Sequence, residues 1–453
     1  MKKTLIVTYR SLRKLIKKMS SHRNACSVLV CLSSFFASKA YSKGTLTYGN
    51  IQHLNDPQLD GAGSQWVDYS YFNRKESGRF LLVADADLRI YPDAESTTPM
   101  LSASELYVDY HMGSANLSFG RRILDWDPTE KFWNMGLLNA TRGFNPLEQD
   151  QEGIMALRLT KRFSGFQTEI FGSFIHVPQL NPSLAIKDGR IISSNPWAKL
   201  PPRSAGLQGV QIPIYYELEM PGYTDLLVQP SLGARMKVDL GRRSWLSAHY
   251  TWKPENTMRI NATGYYEQDT EERAYVRARP FVNHHQVAGA VFVTKLTDST
   301  HFQAGYTNII PEKEGDEGFK FESLKIQPNY INEAYARAAI VYENDFSTYS
   351  INAIERLKGE VKEDDILGTK PRWKRAVGVF VNHAFNDRFG VRGDWKYDVS
   401  LKDIVLKQDI WWNVDKHLTF AVGTELIQSP KSYSYWNYVR SNDSFYSSAS
   451  YTF

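Results

Sequence analysis

The chain closes on SFYSSASYTF, residues 444–453. Phe445, Ser447, Ala449, Tyr451 and Phe453 alternate with Ser444, Tyr446, Ser448, Ser450 and Thr452, so an extended backbone separates the two sets onto opposite faces. One face carries three aromatic rings and no polar group larger than a serine, in a chain whose mean hydropathy is −0.42. Such a strand needs an apolar environment on one side and a polar one on the other.

The same alternation recurs back along the chain. It predicts strands at about 44–51, 65–74, 79–90, 104–112, 116–124, 153–163, 166–176, 228–240 and 244–252. A second set follows at 285–295, 300–308, 334–343, 347–357, 374–385, 388–398, 403–412, 417–427 and 443–453. That is about 18 strands, with 16 the other even count, each near the length that crosses a bilayer at a tilt.

The connections alternate too. The short ones are KESG (75–78), GSA (113–115), SG (164–165), GRR (241–243), LTDS (296–299), NDF (344–346), ND (386–387) and NVDK (413–416). All are turn chemistry. Between them lie long connections, with VSLK (399–402) the one brief exception. A soluble sandwich has no reason to sort its loops this way, whereas a membrane barrel puts short turns on the periplasmic side and long loops outside. The expected fold is therefore all-β, a transmembrane antiparallel up-and-down barrel.

The strand faces agree. Phe80, Leu82, Ala84, Ala86, Leu88 and Ile90 oppose Asp85, Asp87 and Arg89; Leu106, Val108, Tyr110 and Met112 oppose Glu105, Asp109 and His111. Phe389, Val391, Trp395 and Tyr397 oppose Arg388, Arg392, Asp394 and Lys396. Gln408 interrupts the apolar face of 403–412, and Phe292 the polar face of 285–295. A Lys or Arg facing lipid at mid-bilayer costs roughly 2–4 kcal/mol, so the charged rows face a lumen. The expected pore lining comprises Asp85, Asp87, Arg89, Glu105, Asp109, Arg122, Arg158, Glu169, Arg235, Lys237, Arg337, Arg388, Arg392, Asp394 and Lys396, with Asp239, Glu343, Lys407, Asp409 and Glu425 in the same registers. A barrel this wide holds water or an inserted segment. With no folded unit ahead of the first strand, a water-filled pore narrowed by loops is expected, and opposed rings of charge would orient polar or anionic solutes. The plainer reading is that these charges pair across strands and hydrate the wall.

The N-terminus changes the charge balance. Lys2, Lys3, Arg10, Arg13, Lys14, Lys17, Lys18 and Arg23 precede the apolar run Ala25 to Ala37, with Ser38 and Ala40 after it. This is the layout of an export signal cleaved after Ala40, so the expected division is a signal peptide over 1–40 and a barrel over 41–453. Residues 1–40 hold nine of the 54 Lys and Arg and none of the 49 Asp and Glu, which turns a formal charge of +5 into about −4 for the remainder. Nucleic-acid binding loses its compositional support. Both cysteines, Cys26 and Cys31, lie in the same segment, leaving neither disulfides nor a cysteine-metal site.

Two stretches carry a family resemblance. The terminal strand with Phe453 last, Tyr451 two before it and Phe445 further back resembles the signal that bacterial outer-membrane barrels present to their assembly machinery, which implies that machinery and outer-membrane lipid as partners. LYVDYHMGSANLSFGRRILDWDPTEKFWNMGLLNATRGFNPLEQDQEGIMALRLT (106–160) resembles large porin-like barrels of the alginate-export type. Its features are the hairpin, the Gly120-Arg121-Arg122 strand end, a loop bearing Trp and Phe with Asn145-Pro146, and Glu152-Gly153 re-entering a strand. The resemblance implies passage of small polar solutes, anions or saccharides. Arg122 and Arg158 flank the loop expected to fold inward. TEKFWNMGLLNA (129–140) reads as a short amphipathic helix placing Phe132 and Trp133 together, as rings for stacking on a solute or, alternatively, for packing at the barrel mouth. The longest loop, 177–227, reads as a constriction or an outer cap.

The competing readings are a non-conducting barrel with adhesive or structural outer loops, and a rim enzyme. For the latter, His284 and His285 are the best bases, yet neighbours on a strand face opposite ways. The acids Asp125, Asp127, Glu130, Glu148, Asp150 and Glu152 do not have the spacing of a calcium loop. The expectation is a channel with no catalytic residue, metal or cofactor.

Overall fold

Segments that are apolar on alternate positions satisfy their backbone only by pairing with neighbours, and here they pair into one 18-stranded sheet. The computed structural model describes residues 41–55, 65–92, 99–179, 185–193, 197–198, 200–207, 209–268, 272–312, 324–326, 331–359 and 373–453. The expected signal, 1–40, lies outside the described residues.

The barrel strands are β1 (Tyr41–His53), β2 (Gln65–Ser77), β3 (Phe80–Ile90), β4 (Met100–Met112), β5 (Ala115–Arg122) and β6 (Ile154–Arg162). Next come β7 (Phe166–Ser173), β8 (Ser231–Asp239), β9 (Ser244–Pro254), β10 (His284–Lys295), β11 (Thr300–Pro311) and β12 (Glu333–Asn344). The wall ends with β13 (Ser347–Lys358), β14 (Arg375–Ala384), β15 (Phe389–Asp398), β16 (Ile404–Asn413), β17 (Leu418–Gln428) and β18 (Ser444–Thr452). Each strand pairs antiparallel with the next. β18 then pairs with β1, Leu46 opposite Tyr451 and Ile51 opposite Tyr446, so the sheet closes and keeps no free edge.

Short turns gather at one end and long connections at the other. Gly113 and Gly165 sit in two of the turns at φ +65° and +84°, a region an L side chain enters only with strain. On the outside, Phe119, Ile351, Val422 and Phe453 are each at least 60% exposed. A continuous apolar band of this kind is the lipid-facing surface of a membrane barrel. In β18 the faces separate as the sequence predicts: Phe445 and Tyr451 point outward, while Ser444 and Tyr446 are buried inside.

Two local features depart from the sequence reading. In β10, Val287, Val291 and Val293 are buried inward, while Phe292 lies opposite the outward Leu246 of β9. The valine row faces in because the lumen beside it holds apolar side chains; Phe292 is therefore on the lipid side. The segment 129–140 forms only a 3-10 turn over Glu130–Phe132. Asn134 and Gly136 take φ of 45° and 62°, which stops a helix from continuing.

Beyond the loop end, short strands at Ser204–Leu207, Val210–Leu218, Glu272–Phe281, Arg259–Gln268 and Leu324–Ile326 form a separate five-stranded sheet. Part of the longest connection thus supplies two strands of this sheet, while its Trp197 is buried in the core around the inward loop.

Candidate functional site: a loop folded into the lumen

The connection from β5 to β6, residues 123–153, turns back into the barrel. Its apolar residues explain why: Leu124, Trp126, Phe132, Trp133, Met135, Leu137 and Leu138 are all buried. They join wall residues Val287, Tyr335, Ile354, Val405 and Ile427 in one core, with Trp373 from the β13–β14 connection and Trp436 from the short helix Tyr435–Tyr438. Burying each large side chain contributes about 1.5–3 kcal/mol. Trp133 meets Trp373 edge-on at 5.6 Å between ring centres, and Trp373 meets Trp436 at 5.5 Å. Asn139 stitches the loop to itself, accepting from Leu124 N at 2.8 Å and donating to Leu124 O at 3.0 Å.

Charge fixes where the loop sits. Arg337 Nη2 of β12 donates to Asp127 Oδ2 at 2.7 Å, and Asp127 also accepts from Thr129 N at 3.0 Å. Gly305 of β11 permits this approach, because a Cβ there would stand 2.6 Å from Thr129 Oγ1. On another side, Arg142 pairs with Asp87 of β3, and Glu152 receives Arg121 at 2.9 Å. Across the barrel, Asn145 Nδ2 donates to both carboxylate oxygens of Glu425, at 2.8 and 2.9 Å, and Lys407 bridges Glu148 and Glu425. The loop is thereby held to β3, β12, β16 and β17. Burial pushes the Glu130 carboxyl above the usual carboxylate range. Burial also acts to raise Glu148, but Lys407 together with Arg89 and Arg392 outweighs it and holds that carboxyl below the range.

The residues expected to line a pore fall into two groups. Some are spent on internal pairing. Arg158 is 5% exposed at its side chain and pairs with Glu169 at 3.3 Å; Arg337 and Asp87 anchor the loop as above. Others keep contact with open lumen. Arg392 points inward and pairs with Asp409 at 3.0 Å, yet its side chain is 54% exposed. Arg122 pairs with Asp109 at 3.1 Å and stays 31% exposed, lying over the Tyr107 ring at 4.7 Å. Asp394 and Lys396 pair with each other. Asp85, Glu105, Arg235 and Lys237 are half-buried on the inner wall, Glu105 accepting from Ile123 N at 3.1 Å and Arg235 donating to Asp125 O at 3.2 Å. Arg89 lies 3.6 Å from Asp68. Arg388 stands in the exposed turn ahead of β15 rather than on the wall.

Phe132 and Trp133 are 7% and 2% exposed. Their faces are covered by the loop's own core, so in this arrangement they do not offer a stacking surface. Beside them lies a cavity of about 270 Å³, bounded by Lys131, Asn134, Gln149, Gln151, Asp394 and Lys396 and by the edges of Trp133, Trp373 and Trp436. It lies between the loop and the wall of β15 and β16.

His285 is buried inward, while His284 stacks on Trp252 with ring centres 4.6 Å apart, so the pair is split between faces. Among the described residues no group of three or more His, Cys, Asp or Glu side chains is placed to hold a metal. Asp127, Glu148 and Glu152 instead serve as anchors to the wall. Sequence reasoning missed Trp373 and Trp436; tryptophans in otherwise polar connections were the available signal that those connections are covered.

No family model and no curated protein matches the chain. Among solved structures it is similar to OccAB3 of Acinetobacter baumannii, at 11% identity and a TM-score of 0.48 over 92% of this chain and 99% of that one. It is similar to a BenF-like porin from Pseudomonas fluorescens Pf-5, at 6% and 0.49 over 92% and 99%. It is also similar to OpdQ of Pseudomonas aeruginosa, at 8% and 0.46 over 92% and 98%. At such identities and scores nothing about solute or mechanism transfers. The alginate-export likeness of 106–160 finds no support in these comparisons.

Proposed function

We propose that the protein is an outer-membrane channel, a porin through which small polar or anionic solutes, saccharides among them, pass by diffusion. The observation that carries the reading is Arg392: an inward-facing arginine in a closed barrel with 54% of its side chain exposed requires open, hydrated lumen beside it. The inward loop narrows that lumen without filling it, and Arg122, Arg392, Asp394 and Lys396 line what remains. In this reading residues 1–40 are a cleaved export signal, the short turns face the periplasm, and the terminal strand is what the barrel assembly machinery engages. The reading involves no catalytic step, metal or cofactor.

The test is single-channel conductance of the purified barrel in a planar bilayer under a salt gradient, with Arg122→Gln and Arg158→Gln alongside. Stable steps with altered ion preference in Arg122→Gln support the channel. A folded barrel without steps sinks it.

The five-stranded outer sheet favours one other reading, a non-conducting barrel whose loops serve adhesion or envelope structure. Binding to cells or matrix lost when 204–218 and 259–281 are shortened, in a barrel that conducts nothing, would support it.

A further inference from the structure

The turn end of the barrel is electrically lopsided, and the channel reading makes no use of that. Three consecutive turns, 163–165, 240–243 and 296–299, join β6 to β7, β8 to β9 and β10 to β11. Backbone bonds tie them into one surface: Asp239 N donates to Gly165 O at 2.9 Å, and Lys295 N to Arg243 O at 2.8 Å. Lys161, Arg162, Arg242, Arg243 and Lys295 stand around them, all exposed; Arg162 and Lys295 continue the inward rows of Arg158 and Val293, which leaves Lys161 and the turn residues Arg242 and Arg243 to meet headgroups. Within this arc the only acids are Asp239 and Asp298, and among the described residues none of the five basic side chains enters an ion pair. The next turns around the rim carry the opposite balance, with Glu343, Asp345, Asp387 and Asp415 against Arg388 and Lys416.

The apolar girdle at this height is not lopsided. Phe163, Leu240 and Leu296 are exposed beside the basic arc, and Phe346, Phe385 and Val414 are exposed around the remaining rim. The whole rim therefore sits at lipid depth, while the excess of positive charge is concentrated on this arc and, past the uncharged turn at 113–114, on Arg74, Lys75 and Arg79 against Glu76. Lys161 illustrates the local geometry, its ammonium 5.0 Å from the centre of the Phe163 ring, with the ring toward lipid and the cation at headgroup level.

We propose that this arc binds the headgroups of anionic phospholipids in the leaflet that meets the short turns. Unpaired guanidinium and ammonium groups at headgroup depth have phosphate and glycerol-phosphate as their complement, and the neighbouring Phe and Leu side chains lie among the acyl chains of the same lipids. An acidic soluble protein would match the charge but would leave Phe163, Leu240 and Leu296 without a role. Each base near an anionic surface strengthens binding by about fivefold. The inference rests on the membrane-barrel reading but not on conductance.

The test is native mass spectrometry of the full chain purified in non-ionic detergent, offered equimolar phosphatidylglycerol and phosphatidylcholine. The native protein is expected to retain phosphatidylglycerol preferentially, and K161Q/R242Q/R243Q to lose that preference by roughly tenfold or more. K187Q/K402Q/K431Q removes as many charges elsewhere and is expected to keep it. Should the first variant fold poorly, R242Q/R243Q, confined to one exposed turn, carries the same test at reduced size. Equal retention of both lipids by the native protein overturns the proposal, and would leave an acidic soluble partner as the better match. Equal loss in both triple variants overturns it as well, because the effect would then be net charge. Conductance of the same preparations separates the two readings: a conducting barrel without lipid preference overturns the lipid inference alone.

Discussion

Asp127 and Arg337 meet at 2.7 Å inside the barrel, with side chains 1% and 0% exposed. One belongs to the inward loop and the other to the wall strand β12, so this contact sets how far the loop reaches across the lumen. Removing one partner of a buried pair leaves an uncompensated charge, at a cost of about 3–5 kcal/mol. Arg337→Ala is therefore expected to free the loop, raising single-channel conductance and its noise while the barrel stays folded. The double variant D127N/R337M, which removes both charges, is expected to restore much of the quiet native behaviour. Unchanged conductance in R337A would show that the other anchors suffice.

Gly305 tests the same contact sterically. A Cβ at this position would lie 2.6 Å from Thr129 Oγ1 and 3.2 Å from Asp127 Oδ1. Gly305→Val is expected to push the loop off β11 and widen the passage, with little change in the thermal unfolding of the barrel, since valine suits a strand. Protease cleavage within 123–153 under native conditions checks it, and a loop as protected as in the native protein would contradict it.

Arg122 and Arg158 lie on adjacent strands and read alike in the sequence, but the structure separates them. Arg122 keeps 31% of its side chain exposed, whereas Arg158 keeps 5% and is paired with Glu169. Arg122→Gln is expected to move reversal potentials toward cation preference with stability nearly unchanged. Arg158→Gln leaves Glu169 unpaired, and is expected to lower stability by about 3–5 kcal/mol with the smaller effect on selectivity. Reversal potentials and urea unfolding of both variants decide the order.

Trp133 holds the loop's apolar side between Trp373 and Val405. Trp133→Ala is expected to cost about 3–5 kcal/mol, felt by the loop before the wall. Hydrogen exchange should show faster exchange at 124–139 with β1 to β18 still protected. A uniform loss across the barrel would mean that the loop and wall unfold as one unit.

The wall was legible in the sequence because its rule is local. Alternation fixes two faces for each strand, and the turns and loops sort themselves by length, so a barrel of about eighteen strands, an even number, follows without knowing what lies inside. The rule failed at β10, where Val287, Val291 and Val293 made the inner face look like the outer one. It failed there because the lumen beside β10 is apolar, a property of the loop and not of the strand. The site was half legible. The sequence marks the loop flanked by Arg122 and Arg158 as one expected to fold inward, with 177–227 open as another constriction, but not that Phe132 and Trp133 would be sealed against Trp373 and Trp436, residues hundreds of positions away.

What the sequence determined by itself is therefore the barrel: about eighteen strands, their direction and, outside β10, their lipid face. Period-two patterning and turn chemistry act over a few residues, and each strand states them independently. Tertiary structure alone decided which inward charges meet water. Arg392, Arg122, Arg158 and Arg337 all face the lumen, yet their exposures run from 54% to 0%. That range depends on where the folded loop comes to rest, which is set by contacts between its residues and strands far apart in the chain.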